Sequence, residues 1–298
     1  MNILITGGSG LIGQALIQHL NADQIIVLTR SPVKAAKILP NDVKLITSLE
    51  QIDFSDLDVV VNLAGEAIVD KRWTSKQKAI ICQSRWQITQ ALVEKIQAAT
   101  PPPHCFISGS AIGYYGRQDA SAIDENYQDV YPEFSHQLCQ KWEGIALQAE
   151  SEQTRVCLLR TGIVLADNGG ALAKMLPAFK LGLGGPIGNG EQFMSWIHID
   201  DMVAVILAAI YQDSLTGIIN ATAPMPVSNQ EFATTLSNVL SRPCWFRVPS
   251  FILRILMGES ADLVIYGQQV LPKKLLNNNF KFQYPALQVA LKQLLTNA

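Results

Sequence analysis

Through residues 1–165, apolar runs of strand length alternate with segments of helical periodicity. The runs predict strands at 2–6, 24–29, 43–47, 58–63, 104–108 and 154–160, and the periodic segments predict helices at 11–20, 32–38, 75–98 and 135–150. Most of the strand segments are apolar throughout instead of alternating, as a sheet with helices on both faces requires. The connection between 43–47 and 58–63 is short and leaves little room for helix. Strand–helix alternation of this kind implies an α/β fold with a doubly wound, largely parallel sheet and right-handed crossovers.

After residue 165 the pattern becomes irregular. The stretch LGLGGPIGNG (181–190) reads as a loop on its glycine and proline content. A helix follows at 199–211 and a short strand at 217–220. Helical segments at 228–240, 250–257 and 285–295 come next, separated by Pro224, Pro226, Pro243, Pro249, Pro272 and Pro285. The expected organisation is a nucleotide-binding domain over 1–165, to which 196–222 returns, and a smaller substrate lobe over 166–298. That lobe would lie over the C-terminal edge of the sheet, where open α/β sheets place their ligands.

Charge and composition narrow the partners. The formal net charge of the 298-residue chain is −2 and no run of lysine or arginine occurs, so neither nucleic acid nor an anionic membrane surface is an expected partner. No uninterrupted apolar stretch reaches the roughly 18 residues of a membrane span. MVAVILAAI, flanked by His198, Asp200, Asp201 and Asp213, reads as a buried helix. The chain opens directly on a strand, without a secretory segment, and its five cysteines are scattered. Together these point to free thiols in a reducing cytoplasm. Neither the cysteines nor the four histidines show ligand spacing, so no metal is expected. The expected partner is a small-molecule substrate; monomer and homodimer both remain open.

The most specific chemistry lies in Ile3-Leu4-Ile5-Thr6-Gly7-Gly8-Ser9-Gly10-Leu11-Ile12-Gly13. A GxxGxxG run that leaves a strand and opens a helix is the context of a phosphate-binding turn. Gly7 permits the tight turn, Gly10 lets the backbone approach a pyrophosphate, and Gly13 lets helix and strand pack closely. The helix N-terminus then offers free N–H groups to the phosphates. Thr6, Gly7, Ser9, Gly10, Leu11, Ile12 and Gly13 are therefore candidate cofactor contacts in a Rossmann-type fold. The second strand ends at Leu28-Thr29-Arg30, where an NAD site usually places an acid on the ribose hydroxyls. Arg30 stands there instead, with Lys34 one turn on, and can pair with a 2′-phosphate. The expected cofactor is NADP(H).

These residues resemble the extended and atypical short-chain dehydrogenase/reductases of the NAD-dependent epimerase/dehydratase group. Asn62-Leu63-Ala64-Gly65 is similar to that group's strand-four motif. Ser108-Gly109-Ser110 followed by Tyr115-Gly116 is similar to its strand-five motif, and Trp196-Ile197-His198-Ile199-Asp200-Asp201 to a third segment. AGEAIVDKRWT, SGSAIGYYG, CLLRTGIVL, LGLGGPIGNG, SWIHIDDM and LPKKLL look like hallmarks of one subgroup, the "epimerase family" proteins with a C-terminal domain of unknown function. The resemblance runs from the first strand to the last helix. It implies that Gly7, Gly10, Gly13, Arg30, Leu63, Ala64 and Arg160 face the cofactor. Gly65 and Ser108 lie in the same motifs, and Arg85, in CQSRWQITQ, is a further candidate contact.

One expected feature is missing. The wider group uses Tyr-x-x-x-Lys on the helix after strand five, the tyrosine as acid or base and the lysine to lower its pKa and hold the ribose. The chain contains no such pair. Anchored on Glu143, that helix puts Ser135 in the tyrosine's place and Cys139 in the lysine's, on one face by i, i+4 spacing. A thiol does not replace an ammonium, so Cys139 becomes a small residue beneath the cofactor, and as a nucleophile it lacks an identifiable base. Three readings remain. A tyrosine supplies the proton, with Tyr131, Tyr114 and Tyr115 as candidates; or Ser110 and Ser135 only orient a substrate; or NADP(H) is a signal or structural ligand. The function is accordingly an NADP(H)-dependent oxidoreductase or epimerase acting on a small carbonyl or hydroxyl substrate, or a non-catalytic NADP(H)-binding regulator. Beyond these, Asp200 or Asp201 is expected to cap the helix after His198, and the segment from Leu181 to Trp196 either lines a pocket or crosses the surface.

Overall fold

The computed structural model describes residues 1–296. Its centre is a seven-stranded sheet. The strands are β1 (Asn2–Thr6), β2 (Gln24–Leu28), β3 (Lys44–Ile46), β4 (Val59–Asn62), β5 (Cys105–Ala111), β6 (Arg155–Thr161) and β7 (Gly217–Ala221). Their order is β7-β6-β5-β4-β1-β2-β3, and every pairing is parallel. The order reverses between β1 and β4, and that crevice is where a Rossmann sheet takes its dinucleotide.

Successive side chains of each strand enter opposite cores. Ile3, Ile5, Val59, Val61, Ile107 and Leu159 pack on one face against Leu16, Ile17, Met202, Val203 and Ile206. Leu4, Val60, Phe106 and Leu158 pack on the other against Leu92, Val93, Ile96 and Ala146. With both faces buried, period-two alternation has no polar side to display, and this is why the strands read as continuous apolar runs.

The helices that matter for the site are α1 (Leu11–Ile17), α2 (Ser75–Ala98) and α3 (Phe134–Ala146). α2 has the predicted limits, and its start is set by Thr74, whose Oγ1 accepts the Gln77 N–H at 3.1 Å. α1 stops three residues short of the predicted 20, and the helix predicted at 32–38 is a single turn, Pro32–Ala35. The connection from β3 to β4 holds only two 3-10 turns, Leu49–Gln51 and Phe54–Asp56.

A second apolar cluster forms from later residues. α4 (Gly170–Lys180) contributes Leu172, Leu176 and Phe179, α6 (Asn229–Val239) contributes Phe232 and Leu236, and α8 (Leu287–Thr296) contributes Leu291 and Leu294, around Trp196. Between them α5 (Ile199–Tyr211) and β7 close the first core, and α7 (Ser250–Met257) leads into a 3-10 turn at Gly258–Ala261 and one helical turn at Asp262–Ile265. α4 was not predicted: Gly169 caps it, Gly170 is its first residue and Pro177 lies inside it, and each of these residues reads locally as a breaker. Residues 181–190 are irregular, as their glycines imply. Among the described residues, no helix is long and apolar enough to cross a membrane, and no group of three or more His, Cys, Asp and Glu could hold a metal ion.

Candidate functional site

The turn after β1 is shaped by backbone contact. Gly7 has φ of +71°, and a Cβ there would stand 2.6 Å from the Leu63 carbonyl at the end of β4. A Cβ on Gly13 would meet the Gly7 oxygen at 2.5 Å and the Gly8 Cα at 2.6 Å. A side chain at either position would therefore separate α1 from the strands. The Gly10 N–H closes the turn onto the Gly7 oxygen at 2.9 Å, and Gly10 is the N-cap of α1 with no side chain capping the helix. The N–H groups of Leu11 and Ile12 take no partner among the described residues, which leaves them available to an anion. Ser9 is exposed at the rim, where its carbonyl accepts the Gln14 amide at 2.8 Å.

Arg30 follows β2 and is exposed, and it forms no salt bridge among the described residues. No carboxylate follows β2 in Thr29-Arg30-Ser31-Pro32. The residues present fit a nucleotide with a 2′-phosphate: an open helix terminus for the pyrophosphate and an uncommitted guanidinium at the ribose end.

Beneath the turn runs a buried chain of hydrogen bonds. The Ala64 N–H donates to Thr6 Oγ1 at 3.3 Å, Thr6 Oγ1 donates to Asn62 Oδ1 at 2.6 Å, and Asn62 Nδ2 donates to Thr89 Oγ1 at 2.8 Å. Trp142 Nε1 donates to the same hydroxyl at 2.9 Å, and that hydroxyl donates to the Arg85 carbonyl at 2.7 Å. The chain ties β1, β4, α2 and α3 together, so Thr6 acts here through the backbone of Ala64. Thr89 and Trp142 were not singled out in the sequence, because their partners are 27 and 53 residues away.

Arg85 reaches from α2 across Gly65. Its Nη2 donates to the Glu66 carbonyl at 3.0 Å, its Nη1 to the Ile81 carbonyl at 3.1 Å, and a Cβ on Gly65 would lie 2.8 Å from its Cζ. The guanidinium also lies over the Trp142 ring at 5.3 Å. Cys139 is 2 % exposed on α3. Burial, and then the nearby Glu143 carboxylate, push its thiol up to about 12, with Arg85 opposing them weakly. The position that would carry a lysine thus holds a neutral thiol, and Arg85, on the neighbouring helix, supplies positive charge beside it.

At the C-terminal edge of β5 and β6 lies a buried charge cluster. Glu143 Oε1 accepts from Ser110 Oγ at 2.6 Å and from Arg160 Nε at 2.9 Å, and its Oε2 accepts from Arg160 Nη2 at 2.8 Å. Arg160 is opposite Ser110 in the sheet register, and its Cζ lies 3.4 Å from the Tyr114 ring centroid. Arg160 is 1 % exposed, Ser110 5 % and Ser108 0 %. Ser108 Oγ turns back to the Gly109 carbonyl at 3.3 Å. Tyr115, fully buried, donates to Asn220 Oδ1 at 2.8 Å, and burial raises its pKa to about 12. That commitment removes Tyr115 from the candidate proton donors.

Ser135 and Tyr131 are linked through Glu133 and Arg117. Ser135 Oγ donates to Glu133 Oε1 at 2.9 Å, and Glu133 Oε2 accepts from Arg117 Nε at 3.0 Å. Tyr131 is 44 % exposed, with the Arg117 guanidinium 4.6 Å from its ring centroid. A cavity of about 40 Å³ is lined here by Trp73, Arg117, Phe134, Ser135, Glu259 and Asp262. No residue from Leu181 to Trp196 lines it; Gln192 Nε2 donates to the Val264 carbonyl at 3.1 Å, next to the lining residue Leu263.

His198 corrects one expectation. It is itself the cap of α5, its Nδ1 accepting the Asp200 N–H at 3.1 Å, while Nε2 donates to Gln293 Oε1 at 2.9 Å. Asp201 instead accepts the N–H groups of Gln283 and Tyr284 at 2.7 and 2.9 Å. An imidazole can accept as a carboxylate does, and the freed aspartate anchors the C-terminal segment.

Comparison with known proteins adds to this picture. The pattern of the NAD dependent epimerase/dehydratase family matches residues 3–221, and a domain of unknown function, DUF1731, matches residues 248–294. The epimerase family protein SDR39U1 homolog, chloroplastic, of Arabidopsis thaliana is 41% identical over 304 residues, covering 99% of this chain and 87% of that protein. An epimerase family protein of Staphylococcus saprophyticus is 38% identical over 293 residues, 98% of each. The crystal structure of human epimerase family protein SDR39U1 (isoform2) with NADPH superposes with a TM-score of 0.92 at 33% identity, covering 100% of both chains.

Proposed function

The chain belongs to the NAD dependent epimerase/dehydratase family, and on that premise we propose that it is an NADP(H)-dependent oxidoreductase or epimerase of a small carbonyl or hydroxyl substrate. The observation that carries the reading is the combination of an uncapped α1 terminus with an exposed Arg30 just after β2 that forms no salt bridge among the described residues. The relative solved with NADPH supports it. The five cysteines are unpaired, which suits the proposed cytoplasmic setting.

When bound, the nicotinamide would supply or accept a hydride. Leu11 and Ile12 would hold the pyrophosphate through their N–H groups, and Arg30 the 2′-phosphate. Leu63 and Ala64, fixed by the Thr6–Asn62 chain, would form the floor with Gly65, and Arg85 would face the nicotinamide ribose in place of a lysine. Cys139 beneath them keeps the helix close without adding charge. Ser110 and Arg160 hold Glu143 and so set α3 against β5 and β6.

The proton would come from Tyr131. Ser110 and Ser135 each donate to a carboxylate, Glu143 and Glu133 respectively, and Tyr115 is sealed in. Tyr131 is accessible, and its ring lies against the guanidinium of Arg117, which lines the same cavity as Ser135 and would favour the phenolate that donation leaves. The second reading, a non-catalytic NADP(H) sensor, is favoured by the neutral Cys139 and the self-satisfied Ser110–Glu143–Arg160 cluster. A panel of carbonyl compounds, scored by loss of NADPH absorbance, separates the two. Turnover of any member supports the enzyme, whereas binding without turnover across the panel supports the sensor.

A further inference from the structure

The cavity over Ser135 is walled by charges from two distant parts of the chain. Arg117 and Glu133, after β5, line it from the sheet side, and Lys78 on α2 reaches the same wall through Glu259. Glu259 and Asp262 come from the turns that follow α7. Lys78 Nζ pairs with Glu259, and Arg117 Nη2 lies 3.4 Å from Asp262 Oδ2, across separations of 181 and 145 residues. Arg117 is also enclosed by rings, its Cζ 4.6 Å from the Tyr131 centroid and 4.2 Å from that of Tyr266. Lys78 lies 4.9 Å from the Phe134 centroid.

In this arrangement the cavity of about 40 Å³ has room for one or two waters and none for a substrate. The two carboxylates can leave at little cost. Asp262 keeps a second partner, Arg254 Nη2 at 3.1 Å, and Glu259 is 51% exposed and readily hydrated. The Lys78–Glu259 pair, exposed on its carboxylate side, contributes about 1 kcal/mol or less, and the half-buried Arg117–Asp262 contact is long at 3.4 Å. What they leave behind is specific: Arg117 held by one remaining carboxylate, Glu133, with Lys78 released beside it and the rings of Phe134, Tyr131 and Tyr266 around the two cations.

We propose that this cleft binds a substrate carrying an oxyanion, carboxylate or phosphate, on a flat apolar body, and that the oxyanion takes the place of Asp262 on Arg117. Glu259 and Asp262 act as internal stand-ins for that group, holding the cleft shut until an anion competes for Arg117 and Lys78. The inference rests on the reading of the chain as an NADP(H)-dependent enzyme only in placing the reacting carbonyl or hydroxyl toward Ser135 and Tyr131. The guanidinium fork matches a carboxylate or phosphate at two points, and the rings select the flat body.

Isothermal titration of the full-length protein with benzoate, phenyl phosphate and neutral benzamide tests this, with and without NADPH. At least one of the two anions should bind about tenfold or more tightly than benzamide, the scale of one charge-assisted hydrogen bond, and the comparison between them tells carboxylate from phosphate. Asp262→Asn, which removes the competing carboxylate, should tighten anion binding several-fold, and Arg117→Gln should abolish the preference. If neither anion is preferred over benzamide, or if Asp262→Asn leaves anion affinity unchanged, the proposal is overturned. Should Arg117→Gln not fold, Asp262→Asn carries the test alone. Failure of NADPH binding is read separately and strikes the proposed function; the titration without nucleotide then still decides this inference.

Discussion

Arg160 and Glu143 meet in a two-point ion pair at 2.9 and 2.8 Å, with side chains only 2% and 6% exposed, between β6 and α3. Ser110 completes it from β5. The pair holds α3 at the edge where cofactor and substrate are proposed to meet. A buried charge stripped of its partner is costly, so Glu143→Ala should lower stability by about 3–5 kcal/mol. Urea denaturation checks this, and replacing both partners, Glu143→Leu with Arg160→Met, should recover part of the loss. A loss in Glu143→Ala below about 1 kcal/mol would show that the pair contributes no more than a surface one.

Gly13→Ala puts a methyl group where only 2.5 Å separates it from the Gly7 oxygen. Because the clash is with backbone, α1 must move away from the turn. We expect a stability loss of about 1–3 kcal/mol, as for overpacking elsewhere, and a fall in NADPH affinity of about tenfold or more. Unchanged NADPH affinity would remove the turn from the cofactor site.

Cys139 makes stability depend on pH in the alkaline range. Its folded pKa of about 12 lies above the ordinary thiol value, so the folded chain retains a proton that the unfolded chain releases. Its contribution is therefore complete below the unfolded pKa, near 8.5, and is lost as pH rises toward 12. Cys139→Ser should make the decline of stability between about pH 9 and 12 shallower, by at most about 1.4 kcal/mol per pH unit. Parallel declines in the two proteins would contradict the placement of this thiol.

Tyr131→Phe removes a hydroxyl and little else, since the ring contact with Arg117 is kept. Turnover of any substrate found should be abolished while NADPH affinity stays within about twofold of wild type. Wild-type turnover in this variant would take Tyr131 off the list and leave Tyr114 as the tyrosine to test.

The sequence made the sheet legible because its strands are buried on both faces and so read as continuous apolar runs. Strand 2–6 and helices 75–98 and 250–257 stand where the pattern put them. It concealed α4, because Gly170 and Pro177 read as breakers when neighbours are unknown, and it concealed strands of two or three residues such as Ile163–Leu165 and Trp196–His198. The glycine turn and Arg30 could be recognised because their chemistry is local. The Ser110–Glu143–Arg160 cluster and the Lys78–Glu259 and Arg117–Asp262 pairs could not, because their members lie 17 to 181 residues apart and meet only in the fold.

The central claim is that the turn after β1 and Arg30 together bind NADP(H). Titration of the purified protein with NADPH and with NADH, repeated on Arg30→Asp, tests it most directly. The account predicts tighter binding of NADPH by wild type and a shift toward NADH in the variant of about 10- to 100-fold, the equivalent of one charge-assisted contact. Binding of neither nucleotide, or an unchanged preference in Arg30→Asp, would contradict it.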